Sequence, residues 1–134
     1  MGFLLTIAII DDDTSHCRAV SRLLRASGMQ TIIFSSAEAY LARDAGTPAD
    51  CLVLDIQLGG MSGFDLQNRL ASDPTAPPVV FLSAHSEPET IARITSTGCS
   101  YVRKTDPGPV LLEAIRMAIA SRNASPDREN NGTH

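Results

Sequence analysis

Short, almost unbroken apolar runs alternate with longer stretches in which apolar positions recur every three or four residues, and the alternation repeats five times. The first run, over 4–10, is β-branched and nearly continuous, as expected of a strand covered on both faces. Asp11, Asp12 and Asp13 end it. Cys17, Val20 and Leu24 then recur at helical spacing, with Arg18, Arg22 and Arg25 between them, as far as Gly28, a natural stop. Thr31-Ile32-Ile33-Phe34 predicts a second strand. Ser35, with Glu38 three residues on, predicts a capping box that opens a helix reaching residue 44.

The run Cys51-Leu52-Val53-Leu54 predicts a third, fully buried strand that delivers Asp55 into a loop containing Gly59, Gly60 and Gly63. Ser62, with Asp65 three residues on, predicts the start of another helix, in which Leu66 and Leu70 share a face. Pro74, Pro77 and Pro78 make the next segment a turn. Val79-Val80-Phe81-Leu82 predicts the fourth strand, ending at Ser83-Ala84. Ser86 and Glu89, with Pro88 in the first turn, predict a second box for a helix carrying Ile91 and Ile94 up to Gly98. Ser100-Tyr101-Val102-Arg103 predicts the fifth strand, ending at Lys104. A last helix follows from Asp106-Pro107 or Gly108-Pro109, with Leu111, Leu112, Ile115 and Ile119 inward to residue 122.

Strands alternating with helices five times predict an α/β fold around a parallel sheet. Right-handed crossovers narrow this to a doubly wound, flavodoxin-like (βα)5 sandwich with strand order 2-1-3-4-5. Ligand sites of such sheets lie at the C-terminal strand ends. Asp11, Asp12, Asp55, Ser83 and Lys104 all leave that edge together.

At 134 residues the chain is one domain's worth. The expected division is a domain over 1–122 and a disordered polar tail or linker stub over 123–134, where periodicity is lost. Lys+Arg 11 against Asp+Glu 15 gives a net charge of −4 without a basic stripe, which argues against a nucleic-acid partner. Cys17, Cys51 and Cys99 are too few and too far apart for a zinc pattern, and their odd number argues against a disulfide framework. The N-terminal apolar run lacks a basic n-region and a small-residue cleavage site and falls short of the ~20 residues of a membrane span. A cytoplasmic protein without membrane attachment is expected.

Three carboxylates, Asp11, Asp12 and Asp55, brought into one crevice would repel and raise one another's pKa values. A divalent cation relieves that conflict, and Mg²⁺ suits few carboxylates, retained waters and phosphoryl oxygens. Lys104 adds a positive charge and Ser83 a hydroxyl donor, so the crevice has the parts to hold a phosphoryl group. Because phosphoryl transfer is mostly positioning and charge stabilisation, the expected chemistry is in-line attack by Asp55 to give an acyl phosphate. Asp13, by contrast, reads as a helix cap, and His16 and His134 receive no role.

Ile-Ile-Asp11-Asp12-Asp13, Leu-Val-Leu-Asp55-Ile followed by Gly-Met-Ser-Gly63, Phe-Leu-Ser83-Ala84 and Tyr101-Val-Arg-Lys104, in this order and at these spacings, resemble the receiver domain of two-component response regulators. The resemblance implies that Asp55 is the phosphoacceptor for a sensor histidine kinase or a phosphotransfer protein. It implies Mg²⁺ ligated by Asp12, Asp55 and the Gln57 carbonyl, with Asp11 assisting through water. Ser83 and Tyr101 match the family's switch pair, which changes the partner preference of the face made by the fourth helix, fifth strand and fifth helix. Gln57 and His85 fall at positions that modulate the lifetime of the phosphoryl group. The partner is then a downstream protein or an effector domain outside this chain, and the protein is a monomer or a phosphorylation-dependent homodimer.

Two positions depart from the family pattern. Gly59 stands where many relatives have proline, which predicts a looser loop. Thr105 replaces the proline that usually follows the lysine through a cis peptide. A non-proline cis bond costs about 2.5–4 kcal/mol, so a trans Lys104–Thr105 bond with a displaced Lys104 is expected. Two other functions compete. Phosphohydrolases resembling the haloacid dehalogenases place an acid two positions after the nucleophile, where this chain has Gln57, whose amide cannot shuttle a proton. A degenerate receiver acting as a phosphorylation-independent binding module is disfavoured by the retention of Asp55, Lys104 and the acidic pair. The protein is therefore expected to catalyse only its own phosphorylation and dephosphorylation.

Overall fold

The computed structural model describes residues 4–44, 46, 48–84 and 87–132, with side chains described as far as residue 122. Five strands, β1 (Thr6–Ile10), β2 (Gln30–Phe34), β3 (Cys51–Asp55), β4 (Val79–Ser83) and β5 (Ser100–Arg103), form one sheet in the order β2-β1-β3-β4-β5. Every pairing is parallel. The helices that connect and follow them are α1 (Thr14–Ala26), α2 (Ala37–Leu41), α3 (Gly63–Leu70), α4 (Pro88–Thr97) and α5 (Gly108–Gly132). The fold is the flavodoxin-like doubly wound sandwich expected from the alternation of strands and helices.

Side chains alternate across each strand, so each face of the sheet carries its own core. Ile7 and Ile9 of β1 join Val53, Val80, Leu82 and Val102 in packing against Cys17, Val20 and Leu24 of α1 and Leu111 and Ile115 of α5. Ala8 and Ile10 take the opposite face, with Leu52, Leu54 and Phe81, against Ala37 and Tyr40 of α2, Phe64 and Leu66 of α3 and Ile94 of α4. All five residues of β3 and of β4 are buried, which accounts for the unbroken apolar character of those runs.

Helix ends follow local chemistry, in places by other residues than expected. Asp13 caps α1 by accepting from the His16 N–H, and Gly28 just beyond its end has φ 88°. α3 starts where expected, and Ser62 and Asp65 close a full capping box there. Ser62→Ala should cost about 1 kcal/mol, read as a lower urea midpoint with an unchanged slope. For α2 the box at Ser35 is not formed. Ser36 is the cap, accepting from Ala39 N–H, and the helix ends at Leu41 rather than near 44. Glu38 is turned instead to the Met61 N–H. Ser36, not Ser35, is extended immediately before Ala37, the first residue of α2, and so takes the N-cap position. For α4 the N-cap is Glu87 without a side-chain cap, and Pro88 starts the helix. Ser86, expected as its cap, lies outside the described residues.

The α5 backbone continues to Gly132, past residue 122, where the apolar pattern places the end of the helix. No heptad-like stripe extends there to forecast it, and a division of the chain at residue 122 stays a proposal. Among the described residues no helix is long and apolar enough to cross a membrane.

Candidate functional site

β1 and β3 are neighbours, with Ile10 opposite Leu54, so the residues that follow β1 and the last residue of β3 emerge side by side at the C-terminal rim. Asp11 (3% exposed) and Asp55 (6%) are buried there, whereas Asp12 is exposed. Among the described residues, ligand atoms of Asp11, Asp12 and Asp55 lie within 4.8 Å of one another. β4 and β5 continue the rim. Asp55 pairs with Leu82, and Ser83, the next residue, pairs with Arg103. The Lys104 N–H donates to the Ser83 carbonyl at 2.8 Å, which ends β5 with Lys104 level with the acidic residues.

Lys104 Nζ lies 3.2 Å from Asp11 Oδ2 and 3.2 Å from Asp55 Oδ2. Its expected displacement does not occur. The Lys104–Thr105 bond is trans, since the described chain has no cis peptide, yet the four-carbon stem still brings the ammonium over both carboxylates. Peptide geometry at one residue does not dictate where a long flexible side chain ends.

The two buried carboxylates share this cation but titrate apart. Burial raises the Asp11 carboxyl, but the Asp13 N–H on Oδ1 (2.9 Å), His16 Nδ1 on Oδ2 (2.8 Å) and Lys104 together outweigh burial and hold it below its ordinary value. Burial first, and the neighbouring charge of Asp11 second, push Asp55 up to about 6. Lys104 and the Gln57 N–H, 3.2 Å from Asp55 Oδ1, only partly offset this. Burial lowers Lys104, but Asp55 and Asp11 overcome it and keep the ammonium charged. Divergent pKa values in adjacent carboxyls assign them different work: Asp11 is a fixed negative charge, while Asp55 is destabilised when ionised and left with a negative charge to be neutralised.

Oxygen donors at this spacing, two of them buried, fit a hard divalent cation. Asp11, Asp12 and Asp55 could hold such an ion. Tyr101 is half-buried, packed against the core under α2, α3 and α4. His85, expected as a modulator, lies outside the described residues. The cysteines are free thiols, and burial pushes Cys17 to about 11 and Cys51 to about 12, which keeps both protonated and inert.

Two residues join the site without having been expected there. His16 meets Asp11 because the first turn of α1 folds back over the strand end, and a histidine five residues after an aspartate at a capped helix start was the available signal. Glu38 grips the loop after Asp55 from α2 at 2.8 Å. The expected looseness of that loop is thereby corrected: Gly59 N–H donates to Asp12 Oδ2 at 3.3 Å and Met61 N–H to Glu38 Oε2, so the loop is pinned from two sides.

The response regulator receiver domain model matches residues 7–116. The chain belongs to that family. The receiver is 35% identical over 114 residues to the response regulator protein TmoT of Ectopseudomonas mendocina, covering 84% of this chain and 52% of TmoT. It spans about half the length of the curated relatives it matches. A receiver protein from Burkholderia phymatum superposes with a TM-score of 0.75 at 28% identity, covering 87% of this chain and 95% of that one. A CheY-like receiver from Methanospirillum hungatei, at 22% identity, shares the fold with a TM-score of 0.79 over 92% and 99% of the two chains. Receivers of this family are signalling proteins of two-component systems that interact with histidine kinases and effector domains.

Proposed function

We propose that this receiver accepts a phosphoryl group on Asp55 from a phosphohistidine of a sensor kinase or phosphotransfer protein, with Mg²⁺ held by Asp11, Asp12, Asp55 and the Gln57 carbonyl. The observation that carries the reading is Lys104 Nζ at 3.2 Å from both Asp11 and Asp55, at the rim where the three carboxylates converge. The bound cation would neutralise the acidic cluster and the equatorial phosphoryl oxygens.

A carboxylate oxygen of Asp55 bonds to phosphorus as the bond to the donor imidazole nitrogen breaks, and the electron pair leaves with the imidazole. Lys104, already charged and shared between two carboxylates, exchanges part of that contact for a phosphoryl oxygen. Ser83, fully buried at the end of β4, supplies a hydroxyl to another. Its move toward the phosphoryl group leaves room for Tyr101 to turn inward, which alters the face of α4, β5 and α5 that meets a downstream partner or an effector domain. Gln57 and His85, the two positions the family resemblance gives as modulators, set the lifetime of the acyl phosphate. Localisation in the cytoplasm and a monomer that dimerises on phosphorylation are part of the same reading.

Incubation with acetyl phosphate and Mg²⁺, followed by intact-mass measurement, tests it. One phosphoryl group on wild-type protein and none on Asp55→Asn is the expected result. Catalytic release of phosphate would indicate a hydrolase, and no reaction with wild type a binding module.

A further inference from the structure

The loop between β3 and α3 carries the Gln57 carbonyl, and its middle residues, Gly59 and Gly60, have no side chains to brace it. Its ends are tied locally, by Gln57 N–H on Asp55 and Ser62 N–H on Asp65, and two carboxylates distant in the chain hold its middle: Asp12 on Gly59 N–H at 3.3 Å and Glu38 on Met61 N–H at 2.8 Å. The Met61 bond holds the Glu38 carboxyl below its ordinary value, so the contact is made by the ionised, stronger acceptor. Gly60 makes the approach possible. It has φ 77°, and a Cβ there would stand 2.7 Å from Glu38 Oε2.

The two anchors differ in what a cation would do to them. Asp12 belongs to the metal-binding cluster, so an ion drawing on its carboxylate competes with Gly59 for the same oxygens. Glu38 is not one of that cluster, and its bond to Met61 shares no atom with it.

We propose that Glu38 is a positioning residue of the phosphorylation site, a clamp from α2 that keeps the loop after Asp55 in the register presenting the Gln57 carbonyl when Asp12 turns to the metal. This rests on the reading of Asp55 and Mg²⁺ given above. The role is borne by the hydrogen bond rather than by the charge. Gln at 38 retains an acceptor for Met61 N–H and should serve, whereas Ala should not.

Wild type, Glu38→Ala and Glu38→Gln are compared by amide hydrogen exchange at Gly60 and Met61 without metal, by calorimetric titration with Mg²⁺, and by initial rate of labelling with acetyl phosphate. For Glu38→Ala, exchange at Met61 should quicken and the Mg²⁺ Kd rise by about three- to tenfold, the worth of one hydrogen bond. Labelling at subsaturating Mg²⁺ should slow in proportion, with the thermal midpoint close to that of Glu38→Gln. Glu38→Gln should recover most of each loss. Mg²⁺ affinity and Met61 exchange in Glu38→Ala equal to wild type would overturn the clamp, as would equal losses in Ala and Gln. Wild-type protein that neither binds Mg²⁺ nor takes up the phosphoryl group would sink the function itself, a result distinct from a working wild type with an indifferent Glu38→Ala.

Discussion

Asp55→Asn should melt higher than wild type in metal-free buffer at pH 7.5, by about 5 °C for a gain of about 1–2 kcal/mol. The carboxyl sits at about 6 in the folded protein against an ordinary 3.8, raised by burial and then by the charge of Asp11. Between those values the folded chain holds a proton that the unfolded chain has released. Ionised Asp55 therefore destabilises the fold fully above pH 6, and the penalty fades as pH falls toward 4. Asn keeps the shape and an oxygen for Lys104 without the charge, so its advantage should be present at pH 7.5 and absent at pH 4. Coupling to Asp11 and Lys104 reduces the gain below the full value of the shift.

Thermal unfolding of both proteins at the two pH values, in EDTA, measures the difference directly. Saturating Mg²⁺ should narrow the gap, because wild type has the full carboxylate set and gains more from the ion than the variant does. A variant that melts lower than wild type at pH 7.5 without metal would mean that Asp55 is stabilised by Lys104 more than it is penalised by burial and Asp11. A site that weakens the fold until its ligand arrives is the usual relation between function and stability.

The part of this site that could be read from the sequence is the part dictated by strand ends. In a parallel sheet, a residue that ends a buried run emerges at the C-terminal rim whatever the connecting helices do. Asp11, Asp12, Asp55, Ser83 and Lys104 could thus be grouped from the positions of five apolar runs. The start of α3 was legible from equally local signals, since Ser62 and Asp65 are three residues apart. Contacts made by helices across the rim were not. His16 reaches Asp11 only through the way α1 folds over β1, and Glu38 reaches Met61, 23 positions further along the chain. Nothing local distinguishes a glutamate that closes its own helix cap from one that grips a neighbouring loop. The looseness expected of Gly59 failed likewise: removing a proline also restored an N–H, and Asp12 took it.

Gly63→Ala should be the most damaging single methyl in the chain. Gly63 is the first residue of α3, and its N–H donates to the Ile56 carbonyl at 2.9 Å, drawing the helix start onto the end of β3. A Cβ at this position would fall inside contact distance of the Asp55 carbonyl oxygen and stand 2.9 Å from Ile56 Cα. Both are backbone atoms, of Asp55 and of the residue that follows it, so no side-chain rotation relieves the overlap. Either α3 withdraws and forfeits its packing through Phe64 and Leu66, or the end of β3 shifts and moves Asp55 away from Lys104. Overpacking against backbone should cost about 3 kcal/mol, a drop of about 10 °C in Tm, with labelling by acetyl phosphate lost or strongly slowed. Gly59→Ala is the control: nothing lies within 4 Å of a Cβ there and its φ is unexceptional, so its Tm should match wild type. Equal melting temperatures for Gly63→Ala and Gly59→Ala would show that the start of α3 can back away from β3 at no cost, and that the close approach behind Asp55 does not position it.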